Sequence, residues 1–143
     1  SLASHAAHLH DIGIQYIMTR PDKPVYWVGS VPRDICDFPD EARRRVGHEL
    51  HQLQQGLLPG DWRPMAVVGP GTGEIRISSE LQGGRIEHRV FYVAKFEEAI
   101  WVLHAFRKSS RKTRRQDIDI GRKRYEMMRR TRAQMRTSGP AKP

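Results

Sequence analysis

Three strand-like runs follow one another so closely that they restrict how this chain can fold. They cover residues 74–77, 85–94 and 100–106 and are rich in β-branched and aromatic side chains. Two glycines at 83–84 separate the first two runs, and residues 95–99 separate the second from the third. Because connections this short cannot return a chain to the same end of a sheet, the runs must pair as antiparallel neighbours. The segment therefore predicts an antiparallel meander.

Helical patterns lie on both sides of this meander. Before it, apolar residues recur at spacings of three or four and predict a helix over residues 39–55, namely Ala42, Val46, Leu50, Leu53 and Leu57. A short strand at 25–28 and a short helix beginning near Ser30 come earlier, and a third helix is predicted over 115–132. The loop over 57–73 has room for a brief strand at 65–68. This order of elements is typical of an α+β domain in which helices pack on a small sheet.

The positive charge of the chain is concentrated at its C-terminal end, directly after the last strand. From Arg107 onward there are 14 Lys and Arg against three Asp and Glu, in a chain whose net charge is +9. Charge that served only solubility would be interspersed with acids. A cationic surface at the end of a strand instead predicts a polyanionic partner, most simply a nucleic acid.

Cysteine and hydropathy limit the class of protein further. The single cysteine, Cys36, excludes an internal disulfide framework, and we expect it to be a buried structural thiol. No run approaches the roughly 20 apolar residues that a membrane span needs. We therefore expect a cytoplasmic protein with a single domain over 24–132, an N-terminal extension over 1–23 and a flexible tail over 133–143. The histidines of the extension lack ligand partners at suitable spacing, so neither a metal nor another cofactor is predicted.

The residues with the strongest chemical character are basic and lie on strands. The glycine-rich run over 69–73 lacks the Gly-Lys-Ser/Thr ending of a phosphate loop and precedes a strand, which argues against a nucleotide site. Arg76, Arg89 and Lys95 lie at or near alternating strand positions, and Arg107 and Lys108 end the last strand. Cleavage of RNA needs a base for the 2′-hydroxyl, cations for the phosphorane and an acid for the leaving oxygen. Converging basic side chains would supply the cations.

A structural interpretation of the same residues stays open. Arg76 and Arg89 can pair with acids on a solvated sheet face, the candidates being Glu74, Glu80 and Glu87. His88 lies in phase with Ile86 and Val90, and His104 lies in phase with Ile100 and Val102. These phases favour hydrogen-bonded, partly buried histidines over catalytic ones.

Three segments together resemble a known family. They are Glu74-Ile75-Arg76, the run 92–96, and the run 102–113 with Leu103-His104-Ala105-Phe106 followed by alternating basic residues and serines. In this order they resemble the phage-derived HigB-like toxins of the RelE/ParE superfamily, with similarity from Lys23 through Arg124. The resemblance implies a compact RelE-like fold in which N-terminal helices and a C-terminal helix pack on a small curved antiparallel sheet. It also implies metal-independent cleavage of mRNA on the ribosome, growth arrest, and a cognate helix-turn-helix antitoxin of the HigA type that forms a complex with the toxin.

The resemblance assigns roles to individual positions. Arg76, Arg89, Arg107 and Lys108 match its basic sheet positions and are the predicted catalytic residues. The predicted RNA-binding residues are Lys95, Phe106, Arg111, Lys112, Arg122 and Arg124, with Phe106 stacking on a base. Family members often have proline where this chain has Arg114.

Two other functions stay open at this stage. The first is a ParE-like toxin directed at gyrase. The second is a non-catalytic nucleic-acid-binding protein whose basic C-terminal region acts as an electrostatic arm.

Overall fold

The computed structural model describes residues 22–137 and contains five strands and three helices in that range. Along the chain these are β1 (Val25–Trp27), α1 (Val31–Cys36), α2 (Asp40–Gln54), β2 (Trp62–Pro64), β3 (Thr72–Leu81), β4 (Gly84–Val93), β5 (Ile100–Lys108) and α3 (Arg115–Thr137). The predicted α+β class and RelE-like arrangement are confirmed. The expected N-terminal extension lies almost entirely outside the described residues. Within them, no helix combines the length and the apolar character needed to cross a membrane.

The sheet is built around the predicted meander. Its strand order is β1-β5-β4-β3-β2, and β3, β4 and β5 pair in antiparallel fashion as expected. At one edge, β1 pairs with the start of β5 in parallel, so the sheet is not purely antiparallel. This is possible because α1, α2 and the rest of the meander separate these two strands in the chain. The brief strand predicted at 65–68 is wrong, and the strand at this edge is β2 instead.

One irregularity in β5 changes which residues share a face. Tyr92 pairs with Val102, whereas its neighbour Phe91 pairs with His104, so Leu103 is an extra residue in β5. After an extra residue of this kind, each following side chain of the strand points to the face opposite to the one that regular alternation predicts. His104 therefore does not share a face with Ile100 and Val102, as its position in the sequence predicted.

The two faces of the sheet are covered by different helices. α2 lies over one face with Val46, Leu50 and Leu53, against Ile75 and Val90 among others. α3 covers part of the opposite face through Met128, which joins a second apolar cluster with Phe91, Trp101, Leu103 and Phe106. Gly121 allows α3 to approach closely, because a Cβ there would lie 2.9 Å from the Phe91 ring. Apolar side chains therefore pack against both faces of the sheet and form one core cluster on each.

Two further expectations are corrected by the structure. Cys36 is exposed rather than buried, because Val31 and Ile35 occupy the inward side of the short helix α1 and Cys36 follows them at its end. α3 continues to Thr137, so the helix extends beyond the predicted boundary at 132.

Candidate active site

Most of the predicted catalytic residues lie on the face of the sheet that α3 partly covers. The strand register places Arg76 opposite Arg89, and Arg89 opposite Phe106. Alternate residues of a strand point to the same side of the sheet, so the residues two positions away from these, with their partners on the neighbouring strands, share this face. They are Arg63, Glu74, Ser78, Glu87 and Lys108.

Arg89 is buried between two carboxylates. Its Nη1 donates to Glu87 Oε1 at 3.0 Å and to the His88 carbonyl at 3.0 Å. Its Nε lies 3.9 Å from Glu74 Oε2, and only 5% of Arg89 is exposed. The ion pairing anticipated as the structural interpretation is therefore present for Arg89. This guanidinium orders the two carboxylates and does not project into solvent.

Arg76 differs from Arg89 in having no acidic partner among the described residues. Within residues 22–137 its half-buried side chain forms no salt bridge, although it lies beside Arg89 in the register. Its backbone N–H donates to the Asp61 carbonyl at 2.9 Å, which ties β3 to the segment before β2. Among residues 22–137 Arg76 is thus a half-buried cation with no acidic partner, and a guanidinium of this kind can bind a phosphate.

Glu74 is a buried carboxyl group surrounded by cations. It is 3% exposed, and its Oε2 has no hydrogen-bond partner in the described part of the chain. Burial raises the pKa of Glu74 above 4.5, and the nearby positive charges oppose this rise only in part. Those charges belong to Arg89, Arg63, Arg76 and Lys108. A carboxyl group of this kind can accept or release a proton closer to neutral pH than an ordinary glutamate.

Glu87, on the other side of Arg89, has the opposite property. Burial alone would raise the pKa of Glu87, but hydrogen bonds from Ser78 and Arg89 and the charges of Arg89 and Arg85 lower it below 4.5. Ser78 Oγ donates to Glu87 Oε2 at 2.6 Å, and Arg85 Nε donates to the same oxygen at 3.1 Å. Glu87 is therefore an anion at neutral pH, and its hydrogen bond holds Arg89 in place.

Lys108 organises the basic loop that follows β5. Its Nζ donates to the carbonyls of Ser110 at 2.6 Å and Arg111 at 2.7 Å. Ser110 Oγ in turn donates to the Lys112 carbonyl at 2.6 Å. These bonds form a compact loop beside the candidate site and leave the Arg111 and Lys112 side chains exposed.

Phe106 lies in the interior rather than at the surface. It is 8% exposed, stacks on His104 with ring centroids 4.7 Å apart and meets Phe91 edge-on at 5.2 Å. His104 Nε2 bonds to Asp117 Oδ1 at 2.9 Å, which joins β5 to the start of α3. Burial lowers the pKa of His104, and the hydrogen bond and charge of Asp117 oppose this shift. His104 is the buried, hydrogen-bonded histidine that was favoured, and Phe106 packs with it.

Arg107 is not brought together with the other predicted catalytic residues. It lies opposite His88, whose ring packs against Phe38 on the α2 side of the sheet. Burial lowers the pKa of His88, and the charge of Arg107 lowers it further. Adjacent residues of a strand point to opposite faces, so Arg107 and Lys108 cannot serve one site.

Three predicted RNA-binding residues either lie far from the candidate active site or form hydrogen bonds within the domain. Lys95 lies beyond Val93 at the opposite end of the sheet from Lys108. Arg122 Nε donates to the Val67 carbonyl at 2.8 Å. Arg124 donates to the Leu103 carbonyl at 3.1 Å and to Ser30 Oγ at 3.0 Å, and burial lowers its pKa, which the charge of Asp34 opposes. Both arginines fix α3 to the rest of the domain.

The site contains acids and one base that the sequence did not single out as functional. Glu74 and Glu87 were considered only as structural partners of arginines, and Arg63 was not considered. The sequence did contain a signal for the two glutamates. Each precedes a predicted arginine by two residues, so it shares the face of that arginine in a strand. Arg63 had no such signal, because β2 was predicted three residues too late.

The chain was also compared with known proteins. A family model described as phage derived protein Gp49-like (DUF891) matches residues 33–126, about two thirds of the chain. The match includes the whole meander and the first half of α3. No curated protein is found to match the chain.

Proposed function

Since the chain belongs to the phage-derived Gp49-like family, which is related to RelE- and HigB-type toxins, we propose that it is the toxin of a type II toxin–antitoxin module and cleaves mRNA. The observation that carries the proposal is the grouping of Glu74, Arg76, Arg89 and Lys108 on one sheet face. Glu74 has an unpartnered oxygen and Arg76 has no acidic partner in the described chain. A proton acceptor beside a free cation is the pair that transesterification of RNA requires.

In the proposed reaction the Glu74 carboxylate takes the proton of a ribose 2′-hydroxyl. The 2′-oxygen then forms a bond to phosphorus, the bond from phosphorus to the 5′-oxygen breaks, and the leaving oxygen takes a proton from solvent. Arg76 neutralises the charge that develops on the phosphoryl oxygens, and Lys108 adds positive charge from the neighbouring strand. Arg89 is a positioning residue, because its contacts are with Glu74 and Glu87. No step calls for a metal ion.

The exposed Arg111 and Lys112 support an RNA partner held beyond the scissile bond. Phosphate contacts by such residues fix the position of a strand without reading its sequence. We extend the proposal to cleavage on the translating ribosome and to control by a helix-turn-helix antitoxin of the HigA type. Both extensions rest on the relationship to HigB-type toxins.

The test is to map mRNA 5′ ends after brief induction of the protein. We expect growth arrest and new 5′ ends within coding regions, both lost in Glu74→Gln and Arg76→Gln. Arg44→Gln is the matched control, since Arg44 is an exposed residue of α2 on the other side of the sheet. If Glu74→Gln and Arg76→Gln are as toxic as the control, the assignment of the site is wrong.

The same experiment separates the two other functions. A gyrase-directed toxin would leave mRNA intact and induce a DNA damage response. A non-catalytic binding protein would associate with RNA in a salt-dependent manner and produce no new 5′ ends.

A further inference from the structure

A second concave surface lies on the face of the sheet opposite the candidate active site. A cavity of about 470 Å³ opens between the end of α2, the edge strand β2 and the start of β3. Leu53 and Tyr92 line it, and both belong to the core cluster under α2. The remaining apolar wall is formed by Leu57, Leu58 and Trp62.

Local structure explains why these three side chains are exposed. α2 ends in a turn where Gly56 has a φ of +83°, the Gly56 N–H donates to the Leu53 carbonyl and the Leu57 N–H donates to the Gln52 carbonyl. Leu57 and Leu58 follow this turn immediately and are 51% and 66% exposed.

Trp62 completes the patch from the edge strand and is 37% exposed. Single exposed apolar residues are ordinary, but several around one cavity indicate a binding surface.

The charged side chains that the described chain places at the rim of the cavity are both basic. Lys23 and Lys95 line it, and no carboxylate from residues 22–137 does. Lys23 Nζ donates to the Ala94 carbonyl at 2.9 Å, and Lys95 is exposed. Burial raises the pKa of Tyr92 to about 12, so its hydroxyl adds no negative charge. An apolar cavity with a cationic rim is complementary to a ligand that combines apolar and acidic side chains.

The edge strand β2 disfavours binding of such a ligand as an added β-strand. β2 is three residues long and ends in Pro64, which has no N–H to offer a pairing strand. Strand addition at this edge is therefore disfavoured. A helix that lays its apolar stripe into a groove needs no backbone pairing.

We propose that this surface binds an acidic amphipathic helix of a partner protein. Apolar side chains of the partner fill the cavity between Leu57, Leu58 and Trp62, and its carboxylates pair with Lys95 and Lys23. This proposal does not depend on RNA cleavage. Because the cavity and the candidate active site lie on opposite faces, a partner bound in the cavity leaves the candidate active site uncovered.

The experiment measures the fluorescence anisotropy of a labelled synthetic helix that carries leucines on one face and glutamates on the other. A matched peptide has lysines in place of the glutamates. We expect the glutamate peptide to bind the full chain and the lysine peptide not to bind. The double variant Leu57→Ser/Leu58→Ser should weaken binding by about tenfold or more, because two buried leucine contacts are lost.

The control is Leu81→Ser, since Leu81 is a leucine of similar exposure, 48%, at the other end of β3. It should leave the affinity unchanged, and circular dichroism should show that all variants are folded. Equal binding of both peptides, no binding of either, or an equal loss in Leu81→Ser overturns the proposal.

Two other occupants give distinguishable results that also overturn it. If a free peptide of residues 1–21 displaces the glutamate peptide and binds more tightly, the surface belongs to the chain's own N-terminal segment. If sedimentation shows a dimer that Leu57→Ser/Leu58→Ser abolishes, the occupant is a second copy.

Discussion

Glu74 and Glu87 flank the same guanidinium, that of Arg89, yet their pKa values are shifted in opposite directions. Glu87 receives hydrogen bonds from Ser78 and Arg89, which favour its charged form. Glu74 is more deeply buried, and its Oε2 receives none from residues 22–137. Burial without hydrogen bonds favours the neutral carboxyl group. Two carboxylates with separated pKa values are a common mark of an acid–base site.

The Glu74→Gln variant is expected to show a stability that depends less on pH than that of the parent protein. The pKa of Glu74 is higher in the folded state than the ordinary 4.5, so its stabilising contribution is complete below 4.5 and is lost as the pH rises through the folded value. Relative to the variant, the parent protein should lose about 1.4 kcal/mol for each unit by which the pKa is raised. Urea denaturation at several pH values between 4 and 8 measures this difference. A difference that stays constant with pH would show that Glu74 titrates normally.

The Glu87→Gln variant is expected to have the opposite pH dependence. The pKa of Glu87 is lowered, so its stabilising contribution is present above 4.5 and is lost as the pH falls through the folded value. At neutral pH the variant should lose about 1–2 kcal/mol, because Arg89 loses a charged acceptor. The loss should shrink in acid. Glu80→Gln on the exposed end of β3 serves as the control, and a similar loss there would contradict the assignment.

At the scale of elements, the extra residue in β5 determines the composition of the site. Without it, Lys108 would share a face with Ile100 and Val102, and Arg107 would lie on the face of Arg89. With Leu103 inserted into the ladder, Phe106 and Lys108 change to the face of Arg76 and Arg89. Local pairing, rather than the count of basic residues, thus selects Lys108 instead of Arg107.

The close packing of α3 on this face gives a matched pair of glycine substitutions. Gly47→Ala in α2 should stabilise the protein by about 0.5–1 kcal/mol, because alanine favours the helix and nothing lies within 4 Å of the added Cβ. Gly121→Ala should destabilise it, because its Cβ would lie 2.9 Å from Phe91 and 3.1 Å from Val68, and overpacking costs about 1–3 kcal/mol. Thermal denaturation of both variants measures the contrast. Stabilisation by both would mean that α3 packs less closely than described.

At the scale of the whole molecule, the sheet separates two surfaces of different character. One face carries the candidate active site, with the basic loop at its edge, and the other carries the apolar cavity beside Lys95. The basic residues that the sequence analysis grouped together are thereby divided among the candidate active site with its basic loop, the anchoring of α3 and the rim of the cavity. Net charge alone could not make this division, because it depends on where each strand and helix ends.

RNA binding is expected to depend on the basic loop more than on equal charge elsewhere. Arg111→Gln/Lys112→Gln should weaken binding of a single-stranded RNA and reduce the slope of log affinity against log salt by about 0.7 for each lost phosphate contact. Arg33→Gln/Arg44→Gln removes the same charge from α1 and α2 and should leave the slope nearly unchanged. Fluorescence anisotropy across a salt series distinguishes the two. Equal effects of the two double variants would show that RNA binding depends only on the net charge of the protein.

Much of the fold could be predicted because its signals are local. The meander, the long helix α2 and most of α3 follow from alternation, helical periodicity and glycine turns. The parallel pairing of β1, the position of β2 and the exposure of Cys36 could not be predicted, since they depend on contacts between distant segments.

The sequence by itself determined the α+β class, the antiparallel meander and the location of Arg76 and Arg89 on neighbouring strands. Those features depend on side-chain periods and turn residues that act over a few positions. Only the tertiary structure decided that Arg89 is buried between carboxylates, that Glu74 lacks a hydrogen-bond partner for Oε2 within the described chain, and that Lys108 rather than Arg107 joins them. The reason is physical: the extra residue in β5 and the burial beside α3 arise from pairing and packing across the sheet, and a linear pattern records neither.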